Sequence, residues 1–134
     1  MRTEHRRDLG RAGEDLAARL LEDHGLRVLD RNWRDGRRGE LDIVAADPDG
    51  GGLVIVEVRT RTGSRFGSAL ESVDVRKIAR VRRLAAAWLS AHDAHGPVRF
   101  DVVAVTAPWR PGPPAPVEEA LSGAEVAWVR GVAP

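Results

Sequence analysis

The stretch Gly39-Glu40-Leu41-Asp42-Ile43-Val44, the turn Asp47-Pro48-Asp49-Gly50-Gly51-Gly52 and the run Leu53-Val54-Ile55-Val56-Glu57-Val58-Arg59-Thr60 together decide the fold. Two apolar, β-branched arms flank a segment rich in Gly, Pro and Asp, which is the signature of an antiparallel hairpin. Period-2 alternation puts Glu40 and Asp42 on one face of the first arm, and Glu57 and Arg59 on one face of the second. With the turn centred near Asp49 and Gly50, facing residues have numbers that sum to about 99. Asp42 then opposes Glu57, and Glu40 opposes Arg59. Carboxylates directly opposed across two strands have Cβ atoms roughly 5 Å apart. A proton on one of them, or a cation between them, relieves their repulsion. The competing reading is a solvated sheet face on which Glu40 and Arg59 form an ordinary cross-strand ion pair.

On the amino-terminal side, residues 8–24 read as an amphipathic helix closed by Gly25. Leu9, Gly13, Leu16, Ala17, Leu20 and Leu21 form its apolar stripe, with Arg11, Asp15, Arg19 and Glu22 opposite. Glu14 falls on the flank of the stripe, near Ala17, Ala18 and Leu21, so a helix packed on the sheet holds it at the edge of the buried surface. A boundary residue that snorkels to water is the plainer reading of the same position. Residues 26–33 alternate as a strand, and Arg34-Asp35-Gly36-Arg37 turns the chain into the hairpin.

On the carboxyl-terminal side, Arg61-Thr62-Gly63-Ser64-Arg65-Phe66-Gly67-Ser68 is a polar, basic loop, suited to phosphate contacts or to plain connection. A second helix is expected over residues 73–92, with Ser72 or Asp74 as its cap. Lys77 lies within its apolar stripe of Val73, Val81, Leu84 and Trp88, near the start of the helix, where a cation also opposes the dipole. That placement is costly unless the ammonium snorkels or meets an anion. Arg76, Arg80 and Arg83 make a neighbouring basic stripe, a solvated face that a phosphate backbone could use. Residues 98–106 read as a strand, the Pro- and Gly-rich residues 107–116 as a loop, and residues 126–130 as a short edge strand. The order is α-β-β-β-α-β-(β): an α/β fold with a mixed sheet flanked by helices.

The length of 134 residues suits one domain, 1–134, with a core of its own. The chain is 43% hydrophobic and 31% charged, as globular proteins are. It has no cysteine, which excludes disulfides and thiolate metal sites. His5, His24, His92 and His95 are expected at termini or helix ends, and the pair His92 and His95 reads as a solvated end rather than a ligand set. A metal, if bound, would be held by carboxylate oxygens, which favours Mg²⁺ or Mn²⁺. No apolar run reaches the length of a membrane span, and the basic amino terminus has no apolar signal segment behind it, so a cytoplasmic location is expected. A net charge of +1 neither demands nor forbids nucleic acid. Of the 21 basic residues only Lys77 is a lysine, so single arginines say little on their own.

Taken together, Gly13-Glu14-Asp15-Leu16-Ala17, Arg31-Asn32-Trp33-Arg34, Gly39-Glu40-Leu41-Asp42-Ile43-Val44, Val56-Glu57-Val58-Arg59-Thr60-Arg61 and Lys77 resemble the YraN family of small bacterial proteins. That family resembles endonucleases of the PD-(D/E)xK, or Holliday-junction-resolvase-like, class. The similarity runs in order along nearly the whole chain and implies a restriction-endonuclease-like (resolvase-like) three-layer core. It also implies that Asp42 and Glu57 match the two acidic ligands of the nuclease motif, Glu14 the helix glutamate that completes the site, and the Val58 carbonyl a further ligand. The motif's lysine position is Arg59 here. Arginine can steady phosphate charge, even bidentately, but it cannot exchange a proton with an attacking water. Lys77 is the candidate to compensate, by reaching toward Glu57 or the scissile phosphate.

The resulting expectation is a metal-dependent nuclease acting on DNA, branched or otherwise structured, with Mg²⁺ or Mn²⁺ as cofactor. Glu14, Asp42, Glu57, Arg59 and Lys77 would be catalytic, and Glu40 would orient Arg59. Arg61, Arg65, Arg76, Arg80 and Arg83 would contact the nucleic acid. A homodimer would suit resolvase-type chemistry on a symmetric junction, although no stretch specifies an interface. Two alternatives stay open: a nucleic-acid-binding module with weak or no catalysis, and a protein-interaction domain using the hairpin or the Trp-bearing tail.

Overall fold

Five strands and two long helices position everything that follows. The structure, a computed structural model, describes residues 2–50, 52–63 and 74–132. In chain order the elements are α1 (Arg2–Asp23), β1 (Arg27–Arg34), β2 (Glu40–Asp47), β3 (Gly52–Thr62), α2 (Val75–Ala91), β4 (Val98–Ala107), the single turn α3 (Val117–Ala120) and β5 (Glu125–Val129). The strands form one sheet in the order β1-β2-β3-β4-β5. β3 and β4 run parallel, which requires a crossover, and α2 lies within it. The other neighbours are antiparallel. The mixed sheet with helices on both sides agrees with the α/β reading.

The two faces bury different halves of the core. Ala17, Ala18 and Leu21 of α1 pack with Ile43, Ala45, Val54, Val56, Val103 and Val105. On the other face Val81, Leu84, Ala85 and Trp88 of α2 pack with Leu41, Val44 and Ile55. Each fully buried Leu, Ile or Val contributes about 1.5–3 kcal/mol. Trp88 adds a polar tie, its Nε1 donating to Asp30 Oδ2 of β1 at 3.1 Å.

The helix ends follow local chemistry. α1 stops at Gly25, whose φ of 89° suits glycine, while the Leu26 N–H returns to the Leu21 carbonyl at 3.0 Å. Asp74 caps α2 by accepting from the Lys77 N–H at 2.9 Å. The other expected cap, Ser72, lies outside the described residues, as does Val73. α1 begins earlier than residue 8 because its first turns are polar: Glu4, Arg6 and Arg7 are exposed and leave no apolar periodicity to read. At the far end of α2, His92 stacks on the Trp88 ring at 4.0 Å.

Candidate functional site

The β2–β3 ladder runs from Asp47↔Gly52 to Ile43↔Val56, the expected register. There the regular pairing stops. Beyond it, Asp42 Oδ2 accepts the Val58 N–H at 2.8 Å, so a side chain fills the place of a strand carbonyl. Leu41 belongs to the α2-side core and Ile43 to the α1-side core, so strict alternation breaks at Asp42. In the paired strand, Arg31 bonds to Asp15 of α1 while Trp33 packs with the α2-side core, and Asn32 between them has a φ of 53°. The simple two-faced picture of the hairpin therefore needs correcting at this end.

The same departure corrects the expected partner of Glu40. With no β2–β3 pairing this far along, Glu40 faces Arg34 of β1, and its Oε2 lies 3.0 Å from Arg34 Nη2. Arg59 instead approaches Glu57, Nε to Oε1 at 3.9 Å. The Lys77 ammonium does reach Glu57, at 2.7 Å, with the two side chains only 15% and 11% exposed. Glu57 is thus held by cations from β3 and α2.

The acids divide accordingly. Carboxylate oxygens of Glu14, Glu40 and Asp42 lie within 4.8 Å of one another. Glu57, assigned with Glu14 and Asp42 to the metal by the resemblance, is not in that group. Burial, then the nearby Glu57 charge, pushes the Asp42 carboxyl up to about 8, while the Val58 N–H pulls the other way. Glu14 is also raised, by burial first; Arg31 and Asn32 oppose the rise and Glu40 adds to it. One Glu14 oxygen, Oε1, is buried without a hydrogen-bond partner. Three half-buried carboxylates gathered this closely, with Asp42 and Glu14 holding their protons above the usual range, suit a hard divalent cation.

Glu14 is brought here by an unusually close approach of α1 to β3. A Cβ at Gly13 would fall on Thr60 Oγ1, so only glycine allows the contact. Next to Glu14, Asp15 accepts a hydrogen bond from Arg31 of β1 at 2.7 Å.

These residues line a cleft of about 740 Å³. Glu14, Asn32, Glu40, Asp42, Val58 and Thr60 lie in it, and Arg7, Arg11, Arg34, Arg59 and Arg61 add five cations. Of the arginines expected to contact nucleic acid, Arg61 is in the cleft and Arg65 lies outside the described residues. Arg76, Arg80 and Arg83 are exposed on α2 and do not line the cleft; Arg80 and Arg83 share a separate hollow of about 370 Å³ with Arg38 and Asp35. Val58 lines the cleft and gives its N–H to Asp42, whereas the group expected to act there was its carbonyl. The cleft residues not anticipated are Gly10, Asn32, Arg34, Thr60, Arg7 and Arg11. A signal for the last two was present, since Arg7, Arg11 and Glu14 are spaced 4 and 3 apart on one helix face.

Comparison with known proteins fits this arrangement of motifs. The sequence pattern of the uncharacterised protein family UPF0102 matches residues 13–105, from the close-approach glycine into β4. A UPF0102 protein of Frankia alni is 56% identical over 119 residues, covering 87% of this chain and 92% of its own. One from Mycolicibacterium smegmatis is 52% identical over 101 residues, 75% of this chain and 81% of its own. Another, from Kineococcus radiotolerans, is 52% identical over 104 residues, 76% and 83% of the two chains. The chain belongs to UPF0102, the bacterial YraN family that its motifs resemble.

Proposed function

We propose that this protein is a metal-dependent nuclease that hydrolyses phosphodiester bonds in DNA, on a resolvase-like scaffold. The observation that supports this best is the meeting of Glu14, Glu40 and Asp42 in one cleft bordered by arginines. Acids alone suit a cation and arginines alone suit an anion. Their juxtaposition suits a phosphate approached through a cation. Glu14, Glu40 and Asp42 would hold Mg²⁺ or Mn²⁺, and the Val58 carbonyl is a further candidate ligand. When bound, such an ion polarises the phosphate and lowers the pKa of an attacking water.

The chain's own residues do the rest. Asp42 must give up its proton before it can serve as a ligand, so loading releases a proton near neutral pH. Arg59 lines the cleft with its Nε turned toward Glu57 at 3.9 Å, and the rest of its guanidinium would meet a phosphate oxygen. Lys77 neutralises Glu57 and keeps the second acid of the motif from repelling the substrate. Arg7, Arg11, Arg34 and Arg61 border the cleft and position the sugar-phosphate backbone.

The second reading, a binding module without catalysis, is favoured by one observation. The motif's lysine position holds Arg59, which cannot exchange a proton, and Lys77 is engaged by Glu57, so among the described residues neither cation near the second acid is free to serve an attacking water. One assay separates the two. Labelled linear, flapped and four-way DNA are incubated with the protein in Mg²⁺ or Mn²⁺, beside Asp42→Asn and Glu14→Gln. Cleavage by the parent that both variants lose supports the nuclease. Binding without cleavage in all three proteins supports the module.

A further inference from the structure

Arg34 and Glu40, the facing ends of β1 and β2, line the cleft, and the turn 35–39 between them borders a second concavity. That hollow, about 370 Å³, is lined by Asp35 and Arg38 of the turn and by Arg80, Arg83 and Leu84 of α2. Arg80, Arg83 and Leu84 share one helix face at spacings of 3 and 4. The turn is pressed against that face. A Cβ at Gly39 would lie 3.2 Å from Leu84 Cδ1 and 3.9 Å from Arg80 Cδ, and its φ of 134° is one that glycine adopts readily. Within the turn the Asp35 N–H donates to the Gly39 carbonyl at 3.2 Å, and the Arg38 N–H to the Asp35 carbonyl at 3.0 Å. The turn is therefore a fixed ridge, with the acid cleft on its α1 side and the hollow on its α2 side.

The charge of the hollow is one-sided. Three guanidinium side chains from two elements line it against a single carboxylate, Asp35. Asp35 meets Arg38 only at 3.6 Å, and the Arg38 side chain is 82% exposed, so this pair neutralises little. The crowding is not general along α2, because Arg76 and Arg82 are also exposed and line no part of the hollow. Like charges gathered around one space repel unless an anion enters it, and the planar fork of arginine matches phosphate oxygens. The cleft needs a cation as well as an anion; the hollow needs only the anion.

We propose that the hollow is a second phosphate site for the same nucleic acid: a sugar-phosphate backbone that crosses the β1–β2 turn leaves one phosphate at the cleft and sets another among Arg38, Arg80 and Arg83. This rests on the reading that the cleft takes a phosphodiester. A fragment short enough to end at the cleft never reaches the hollow, whereas a duplex does.

The test titrates a labelled duplex and a labelled trinucleotide, over a range of salt, into the parent, into Arg80→Gln/Arg83→Gln, and into a control of equal charge, Arg19→Gln/Arg82→Gln. The control residues are exposed and line neither concavity. All three proteins should melt together, since the four replaced side chains are on the surface. The hollow variant binds the duplex about tenfold more weakly than the control does, and its plot of log affinity against log salt is shallower by about 1.8. For the trinucleotide the two variants are alike. Equal duplex affinity and slope in the two variants, or an equal loss on the trinucleotide, overturns the inference. If the parent cleaves DNA while the hollow variant binds as the control does, the second site falls and the nuclease reading stands. If the hollow contributes to duplex binding but the parent never cleaves in Mg²⁺ or Mn²⁺, the nuclease reading falls and the second site stands.

Discussion

Asp42 and Asp101 both sit in the sheet, the first half-buried and the second fully, and could hardly be treated more differently. Asp101 has no exposed surface, and its own chain surrounds it with donors. Arg99 gives Nε at 2.9 Å and Nη2 at 3.2 Å, Trp128 gives Nε1 at 3.0 Å, and Gly131 gives its N–H at 2.9 Å. Arg99 also reaches Asp47, which caps the β2–β3 turn through the Asp49 and Gly50 N–H groups. Asp42 receives one N–H and otherwise faces carboxylates. Burial of a charge therefore does not mark a functional site by itself. The mark is a buried acid that the fold has declined to satisfy.

The largest effect should come from removing the satisfied acid. Asp101→Ala strips Arg99, Trp128 and Gly131 of a shared partner, and urea unfolding should show a loss of about 3–5 kcal/mol. Asp42→Asn, which keeps an acceptor for Val58 and removes a repelled charge, should leave the metal-free protein as stable or more so at pH 8. If Asp42→Asn proves the more damaging of the two, the contrast fails.

Next in size is an attack on the cleft from outside. Gly13→Ala forces α1 off Thr60, with an overpacking cost of about 1–3 kcal/mol in the same assay. It should also move Glu14 away and weaken Mn²⁺ binding, which Asp101→Ala should not do while it remains folded.

The pH dependence follows with a definite sign. Asp42 titrates at about 8 when folded and at about 3.9 when unfolded, so the native state binds the extra proton between these values. Its contribution to stability is fully present below pH 4 and is lost as pH rises through 8, at up to about 1.4 kcal/mol per pH unit. The raised Glu14 acts in the same direction. Melting of the metal-free protein from pH 5 to 9 should show this decline, and Asp42→Asn should flatten it. Mn²⁺ should lessen it too, with proton release seen by calorimetry in buffers of different ionisation enthalpy.

The smallest effect is the control, an exposed acid with an ordinary job. Asp74→Ala removes the α2 cap and should cost about 1 kcal/mol with little change in Mn²⁺ affinity.

The hairpin register was legible in the sequence because turn composition and β-branched arms both act locally. Lys77 was legible too, as a lone charge in an apolar stripe. Asp101 was not: within Val98–Ala107 it reads as an isolated polar residue, and two of its donors arrive from β5 and just beyond it, 27 and 30 residues later. The alternation break at Asn32 and Asp42 was hidden for a related reason. Periodicity assumes that pairing continues, and here β2 parts from β3. Glu40 was consequently assigned to Arg59 when its partner is Arg34.

Gly13 also sets two levels of organisation against each other. As an isolated peptide, α1 should become more helical when Gly13 is replaced by alanine, by about 1 kcal/mol. Within the folded chain the same replacement should destabilise, because the helix can no longer touch β3. Most residues of a natural protein prefer locally what the whole fold requires. Here the helix is kept intrinsically weaker at the position that lets Glu14 arrive, and the opposite signs of one substitution in peptide and protein would measure that conflict directly.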